Sequence, residues 1–258
     1  MEELKSNREG AIYKDGNAVV RPINPWTKST HLFLNHLSMK GVLGVPKVLE
    51  FDSKSEKLQY IDGETTDFPL EGEFSKEGAL ISAAKLLREI HNCSIDFVKS
   101  HNVKAMVWML PAVEPLEVVC HGDFAPYNCA FIDGKVSGVF DFDTAHPAPR
   151  IWDLAYAIYT WAPFQSDGHL NKVPLSDQID RARLFCDIYG ATDIQRKELP
   201  AMMIKRLRAL VEFMRIEAKK GNVQFIENID GGHHCAYLAD IEYISSQEGM
   251  IIHGLLVN

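Results

Sequence analysis

Residues 118–154, VVCHGDFAPYNCAFIDGKVSGVFDFDTAHPAPRIWDL, constrain the fold more than any other stretch of the chain. Two apolar runs, 131–132 and 136–142, flank Asp133-Gly134, a dipeptide that favours the backbone of a two-residue hairpin turn. Such a hairpin sets two polar clusters side by side. His121, Gly122, Asp123 and Asn128 precede it, and Asp141 and Asp143 stand at its far end. Acids gathered where a chain normally places apolar residues need a cation, a proton or a substrate between them.

Phosphoryl transfer makes such demands. The transferred group is stabilised by position and charge more than by covalent help, so the site needs a carboxylate near the incoming hydroxyl and a hard oxygen site for magnesium. Asp123 suits the first role. Asn128, five residues on, offers a neutral oxygen, and Asp141 offers an anionic one. His-x-Asp-x-x-x-x-Asn, then a hairpin and a metal-binding Asp, is the pattern of a kinase catalytic loop.

HGDFAPYN, then FDFD, then PAPRIWDLA resembles the aminoglycoside phosphotransferase and choline kinase-like family, which has a protein-kinase-like fold. RPINPWTKSTHLFLNHL and the Arg-x-Trp-Asp-Leu-Ala segment are similar to a bacterial subgroup labelled phosphotransferase or trifolitoxin immunity protein. The resemblance implies an α+β chain in two lobes. Residues 1–62 would form a small antiparallel sheet with one helix, on the nucleotide side, and 63–258 a mainly helical body with the catalytic loop and metal site. It further implies ATP and magnesium as cofactors and a small hydroxyl-bearing molecule as substrate. Asp123 would orient and deprotonate that hydroxyl, Asn128 and Asp141 would hold the metal, and Arg21 would steady the phosphates. Backbone groups at Gln59 and Ile61 would meet the adenine edge, with His121, Asp143 and Asp153 in support. Asp153 resembles the family's buried acid that anchors the catalytic loop.

The chain also departs from that pattern. A kinase-like site pairs a lysine on the third strand with a helix glutamate. Here Arg21 stands at the strand position, and Thr30 or His31 where the glutamate is expected. Arginine stays cationic and forks onto phosphate, yet it is not an equivalent of lysine. GxGxxG occurs nowhere, which leaves only residues 5–10 for a short phosphate loop. These departures support a rival reading, a non-catalytic or attenuated immunity-type binding module on the same fold. A magnesium-dependent hydrolase using the same carboxylates is a third.

Bulk properties fit any of these. With 258 residues and 46% hydrophobic content the chain can bury a sizeable core. No apolar run of about 18 residues and no basic-then-apolar leader occurs, so neither a membrane span nor a secretory signal is expected. The five cysteines lack CxxC spacing, which points to reduced thiols in a cytoplasm. A net charge of -8 argues against nucleic acid as the main partner. Residues 1–61 carry 9 Lys+Arg against 7 Asp+Glu, so the remaining 18 against 28 hold all the excess acid. An acidic cleft there would attract a cationic substrate, though a solvated acidic surface is the commoner explanation of such an excess.

Local patterns place the remaining elements. Strands are expected at 11–13 and 18–21 around Asp15-Gly16-Asn17, and at 45–51 and 58–61. Leu32, Phe33, Leu34 and Leu37 predict a helix over Thr27–Met39 capped by Thr27 or Ser29. A second amphipathic helix at 78–91 is closed by His91, where a histidine suits the helix dipole. Residues 95–117 read as an irregular link, and a further helix runs through Trp161 to a stop at Pro163. Trp152, Tyr156, Tyr159, Trp161 and Phe164 could form a stacking platform, but their helical spacing favours core packing. A polar loop at 167–175 is placed to shape acceptor specificity. Helices at 179–189 and 198–219, and one opening at His233-His234, complete the chain.

Overall fold

The computed structural model describes residues 2–4, 12–166 and 173–257. The expected phosphate loop at 5–10, the first residue of the 11–13 strand and most of the 167–175 loop lie outside them. The N-terminal part is an antiparallel sheet of β1 (Glu2–Leu4), β2 (Ile12–Asp15), β3 (Ala18–Pro22), β4 (Val48–Phe51) and β5 (Ser55–Gln59), in the order β1-β2-β3-β5-β4. β5 begins before the expected 58–61 because its pairing with β3 sets Pro22 opposite Ser55 and Arg21 opposite Glu56, which carries polar residues into the sheet. An apolar run does not mark such a strand.

Helix α1 (Thr27–Met39) forms where its periodicity predicts and buries Phe33, Leu34 and Leu37. Its cap differs from expectation. Trp26 is the N-cap without a side-chain bond, and Thr27 Oγ1 instead accepts from the Asn24 N–H at 2.9 Å, fixing the turn between strand and helix. Helix α2 (Glu77–Ser100) extends well past His91, because its buried stripe continues through Ser94 and Phe97. His91 is therefore a mid-helix residue facing the core, and a dipole role at a helix end is excluded.

Next, β6 (Val118–Cys120) pairs with β9 (His146–Ala148), and β7 (Cys129–Ile132) with β8 (Lys135–Val139). Asp133 and Gly134 take φ of 49° and 68°, as the Asp-Gly turn demands. Strand β8 ends at Val139, short of the expected 142. Phe140 N–H bonds Asn128 O at 2.9 Å across the hairpin mouth, and Asp141 then adopts φ 63°, ψ 59° and turns the chain away.

Helix α3 (Arg150–Trp161) is almost wholly buried, and its aromatics pack in the core as their spacing implies. Around it lie α4 (Leu175–Tyr189), α5 (Asp193–Lys219), α6 (Val223–Asp230) and α7 (His233–Leu256). Helix α5 starts before 198 because Thr192 and Gln195 form a reciprocal capping box, which outweighs the first-turn preference of Pro200.

The β7–β8 hairpin is bonded to the sheet side as well as to the helical body. Val139 N–H donates to Gly44 O at 2.8 Å, and Ser137 Oγ donates to Asp62 O at 3.0 Å. A Cβ on Gly138 would lie 2.6 Å from Gly44 O and 2.7 Å from Ile61 Cγ2, so only glycine permits this approach. Among the described residues no helix is long and apolar enough to cross a membrane.

Candidate active site

The loop after β6 carries the first polar cluster, and a buried carboxylate shapes it. Asp153 of α3 accepts the His121 N–H at 2.7 Å and the Gly122 N–H at 2.9 Å, and its Oδ2 also takes His91 Nε2 at 3.0 Å. Burial alone would raise its pKa. The His91 bond and these backbone donors overcome that and hold it at about 2. The relay extends outward: burial pushes Tyr189 up to about 12, so its hydroxyl keeps its proton and donates to His91 Nδ1 at 2.7 Å. Burial also pushes His91 down, which leaves a neutral ring donating Nε2–H to Asp153.

His91, Cys120 and Asp153 have ligand atoms within 4.8 Å of one another. Their partners argue against a metal there, since both His91 nitrogens are engaged and burial raises the Cys120 thiol well above its ordinary value.

Gly122 sits at φ 85°, and a Cβ on it would lie 2.3 Å from Thr144 O; this turn lifts Asp123 out of β6 toward the hairpin. Both Asp123 oxygens are then held. Tyr127 O–H donates to Oδ1 at 2.6 Å, and Asn128 Nδ2 donates to Oδ2 at 2.9 Å and to the Asp123 carbonyl at 3.0 Å. Burial raises the Asp123 pKa, the Tyr127 bond offsets part of this, and the nearby Asp141 charge adds to the rise. With its nitrogen committed to Asp123, the amide oxygen is the atom Asn128 has left to offer a cation. His121 Nε2 donates to Phe140 O at 2.9 Å, which binds the loop to the residue before Asp141.

Asp141 and Asp143 meet Arg21 of β3. Arg21 Nη2 donates to Asp143 Oδ1 at 2.7 Å, Nη1 reaches Asp141 Oδ1 at 3.5 Å, and Nε bonds Glu56 Oε1 at 2.8 Å. Asp143 is almost wholly buried, whereas the Asp141 side chain is 25% exposed and so reachable by a ligand. The helix glutamate that the sequence lacks thus has a counterpart elsewhere: Glu56 of β5 bonds Arg21 and also His31 Nε2 of α1. Carboxylate oxygens at Asp141 and Asp143 and the Asn128 amide oxygen are hard donors of the kind magnesium takes, so the residues present fit that ion.

Gln59 and Ile61 stand apart from the acids. Gln59 ends β5 with its N–H on Lys47 O at 2.8 Å, and Ile61 packs at Gly138 on the hairpin.

Two features were not foreseen. Arg206 of α5 is buried, donates Nη2 to Gly122 O at 2.6 Å and lies 4.6 Å over the Tyr156 ring, which ties the loop after β6 to α5. Beside Asp123 lies a cavity of about 460 Å³ lined by Phe68, Tyr127, Tyr156, Tyr159, Tyr237 and Asp240, among others. Tyr127 belongs to both, since its ring lines the cavity and its hydroxyl touches Asp123. The five aromatics come from four segments of chain, and helical spacing favoured core packing over a stacking platform for those of α3.

Comparison with known proteins agrees with the architecture. A model of the phosphotransferase enzyme family matches residues 100–173. The chain is similar to a choline/ethanolamine kinase family protein from Mesorhizobium loti, at 16% identity and TM-score 0.63, covering 98% of this chain and 91% of that one. It is also similar to a choline kinase from Cryptosporidium parvum Iowa II, at 10% identity and TM-score 0.61 over 99% and 90% of the two chains. A third likeness is to APH(2")-IIa in a ternary complex with streptomycin and ATP, at 14% identity and TM-score 0.55 over 97% and 92%. No protein of curated function matches the sequence. The solved structures bear out the protein-kinase-like fold, with an antiparallel sheet followed by a mostly helical remainder, and the family model agrees with the resemblance over residues 100–173 without reaching the immunity-type subgroup.

Proposed function

We propose that this chain is an ATP-dependent phosphotransferase that moves the γ-phosphate to a hydroxyl of a small cationic molecule. One observation carries the reading: Asp123 is held on one carboxylate oxygen by Asn128 at the hairpin and on the other by Tyr127, whose ring lines an aromatic cavity.

Asp123 would accept the hydroxyl proton, and its raised pKa makes it a better base than a solvated carboxylate. Tyr127 and Asn128 fix the direction in which its lone pairs point. Asn128 and Asp141 would hold magnesium, with Asp143 beside them; when bound, that ion supplies positive charge against the phosphate oxygens. Arg21 would steady the phosphates, and Gln59 and Ile61 would meet the adenine edge. The cavity supports a cationic acceptor, because aromatic side chains line it together with Asp240, whose carboxylate is held by Tyr159 O–H and the Ser166 N–H.

The test is ADP release by purified protein with magnesium–ATP and a panel of amino alcohols, aminoglycosides and neutral sugars. We expect turnover with a cationic acceptor, and Asp123→Asn to lower kcat by about 10²–10⁴-fold while nucleotide still binds. Full turnover in Asp123→Asn would remove that residue from the chemistry. Ligand capture with no ADP released from any acceptor would favour the binding-module alternative, which the arginine in place of lysine motivates.

A further inference from the structure

Arg21 is aimed by a second layer of residues. Strands β3 and β5 pair with Arg21 opposite Glu56, and Glu56 is 1% exposed. One Glu56 oxygen takes Arg21 Nε at 2.8 Å, and the other takes His31 Nε2 from α1. The guanidinium is planar, so a carboxylate that fixes its Nε edge also fixes where its outer nitrogens point. They point at the hairpin acids, Asp143 at 2.7 Å and Asp141 at 3.5 Å.

Resting on the phosphotransferase reading, we propose that Glu56 and His31 are positioning residues of the nucleotide site, acting through Arg21. The strand supplies the acid and the helix supplies a histidine, so α1, β5 and β3 are coupled through one buried chain of bonds.

Three observations support this. An ionised Glu56 accepts only, so His31 donates Nε2–H to it; His31 Nδ1, buried without a partner, is then the less costly atom to leave unpaired. Although burial opposes it, the bonds from His31 and Arg21 hold the Glu56 carboxyl below the usual carboxylate range, so the acid keeps the charge that orients the fork. His31 is itself fixed from the sheet side, its ring edge-on to Phe51 of β4 at 4.8 Å between centroids. A lysine at position 21 would present one compact charge and could not bridge Glu56 and Asp143 along two edges, which accounts for arginine here.

The experiment measures magnesium–ATP affinity by calorimetry, without acceptor, for the wild type, Glu56→Gln, His31→Leu and His31→Gln. A charge-assisted bond lost from the orienting chain should weaken nucleotide binding about tenfold in Glu56→Gln and His31→Leu. His31→Gln keeps a donor within reach of Glu56 and should restore most of the affinity, while the KM for the acceptor stays unchanged in all three. If Glu56→Gln does not fold, a cycle of His31→Leu with Arg21→Lys carries the test, and the histidine change should have no further effect once the fork is gone. Wild-type affinity in folded Glu56→Gln and His31→Leu, or equal losses with and without Arg21→Lys, would overturn the assignment alone. A wild-type protein that binds no purine nucleotide with magnesium would overturn the phosphotransferase reading and this one with it.

Discussion

The catalytic loop leans on a histidine that must stay uncharged, and this makes its stability pH-dependent in a calculable way. His146 of β9 is buried, donates Nδ1–H to Thr144 O at 2.8 Å and accepts Trp152 Nε1–H at 2.9 Å. Both nitrogens are satisfied only in the neutral ring. Burial moves its pKa from 6.5 down to about 4. Below pH 6.5 the unfolded chain therefore binds a proton that the native state refuses until about pH 4, and stability falls as pH falls through that window. At about 1.36 kcal/mol per pH unit, the loss from this one group is about 2 kcal/mol by pH 5 and about 3.4 kcal/mol in full. Other groups titrate as well, His91 and Asp123 among them, so the informative quantity is a difference. His146→Gln keeps one donor and one acceptor but cannot titrate. Urea unfolding of both proteins at several pH values between 7.5 and 4.5 should show the wild type losing about 2 kcal/mol more than the variant by pH 5, or roughly 4–8 °C in Tm. Parallel curves would refute the argument, because they would mean that His146 titrates alike in the folded and unfolded chain.

Two further changes probe the frame of the site. Asp153→Asn leaves one of the two loop N–H groups facing an amide nitrogen, and should cost about 2–4 kcal/mol in urea unfolding and depress turnover with it; a loss below about 1 kcal/mol would contradict the anchoring role. The Asp153 contribution itself is complete above about pH 4 and should vanish as pH falls through about 2, the direction of a lowered carboxylate. Gly138→Ala should cost about 1–3 kcal/mol by overpacking and lower Tm by a few degrees, and an unchanged melting curve would show that the hairpin and the Gly44 loop are not in firm contact.

Local signals carried much of this structure into the sequence. Asp133-Gly134 marked its hairpin because two adjacent left-handed residues have few other solutions, and the HGDFAPYN–FDFD spacing marked the loop because its members lie within 23 residues, 121 to 143. The family model matches that same part of the chain, 100–173. What escaped depends on register and on distant contact. Glu56 was invisible as a partner of Arg21 because 35 residues separate them and only the β3–β5 pairing sets them opposite. Arg206 reaches Gly122 across 84 residues from a helix whose face looks ordinary. The length of α2 was misjudged because a histidine and a serine interrupt its apolar stripe, and both turn out to hold neighbouring strands and loops: Ser94 Oγ accepts the Val119 N–H at 3.0 Å, and His91 reaches Asp153. The Thr192–Gln195 box, by contrast, was legible and was masked by Pro200, the eighth residue of the helix it starts.

The bonds from Ser137 and Val139 to Asp62 and Gly44 bear on how the cleft can open. The ribbon is bonded to the helical body as well, Val136 N–H donating to Ser82 Oγ at 2.8 Å, so a swing of the sheet about the 60–64 linker would have to break either that bond or the one from Val139 to Gly44. The ribbon is likewise tied to the anchored loop by the His121–Phe140 and Phe140–Asn128 bonds, so loop and hairpin move together. Asp123 and Asp141 therefore ride on one body, and their separation is held whatever the degree of closure.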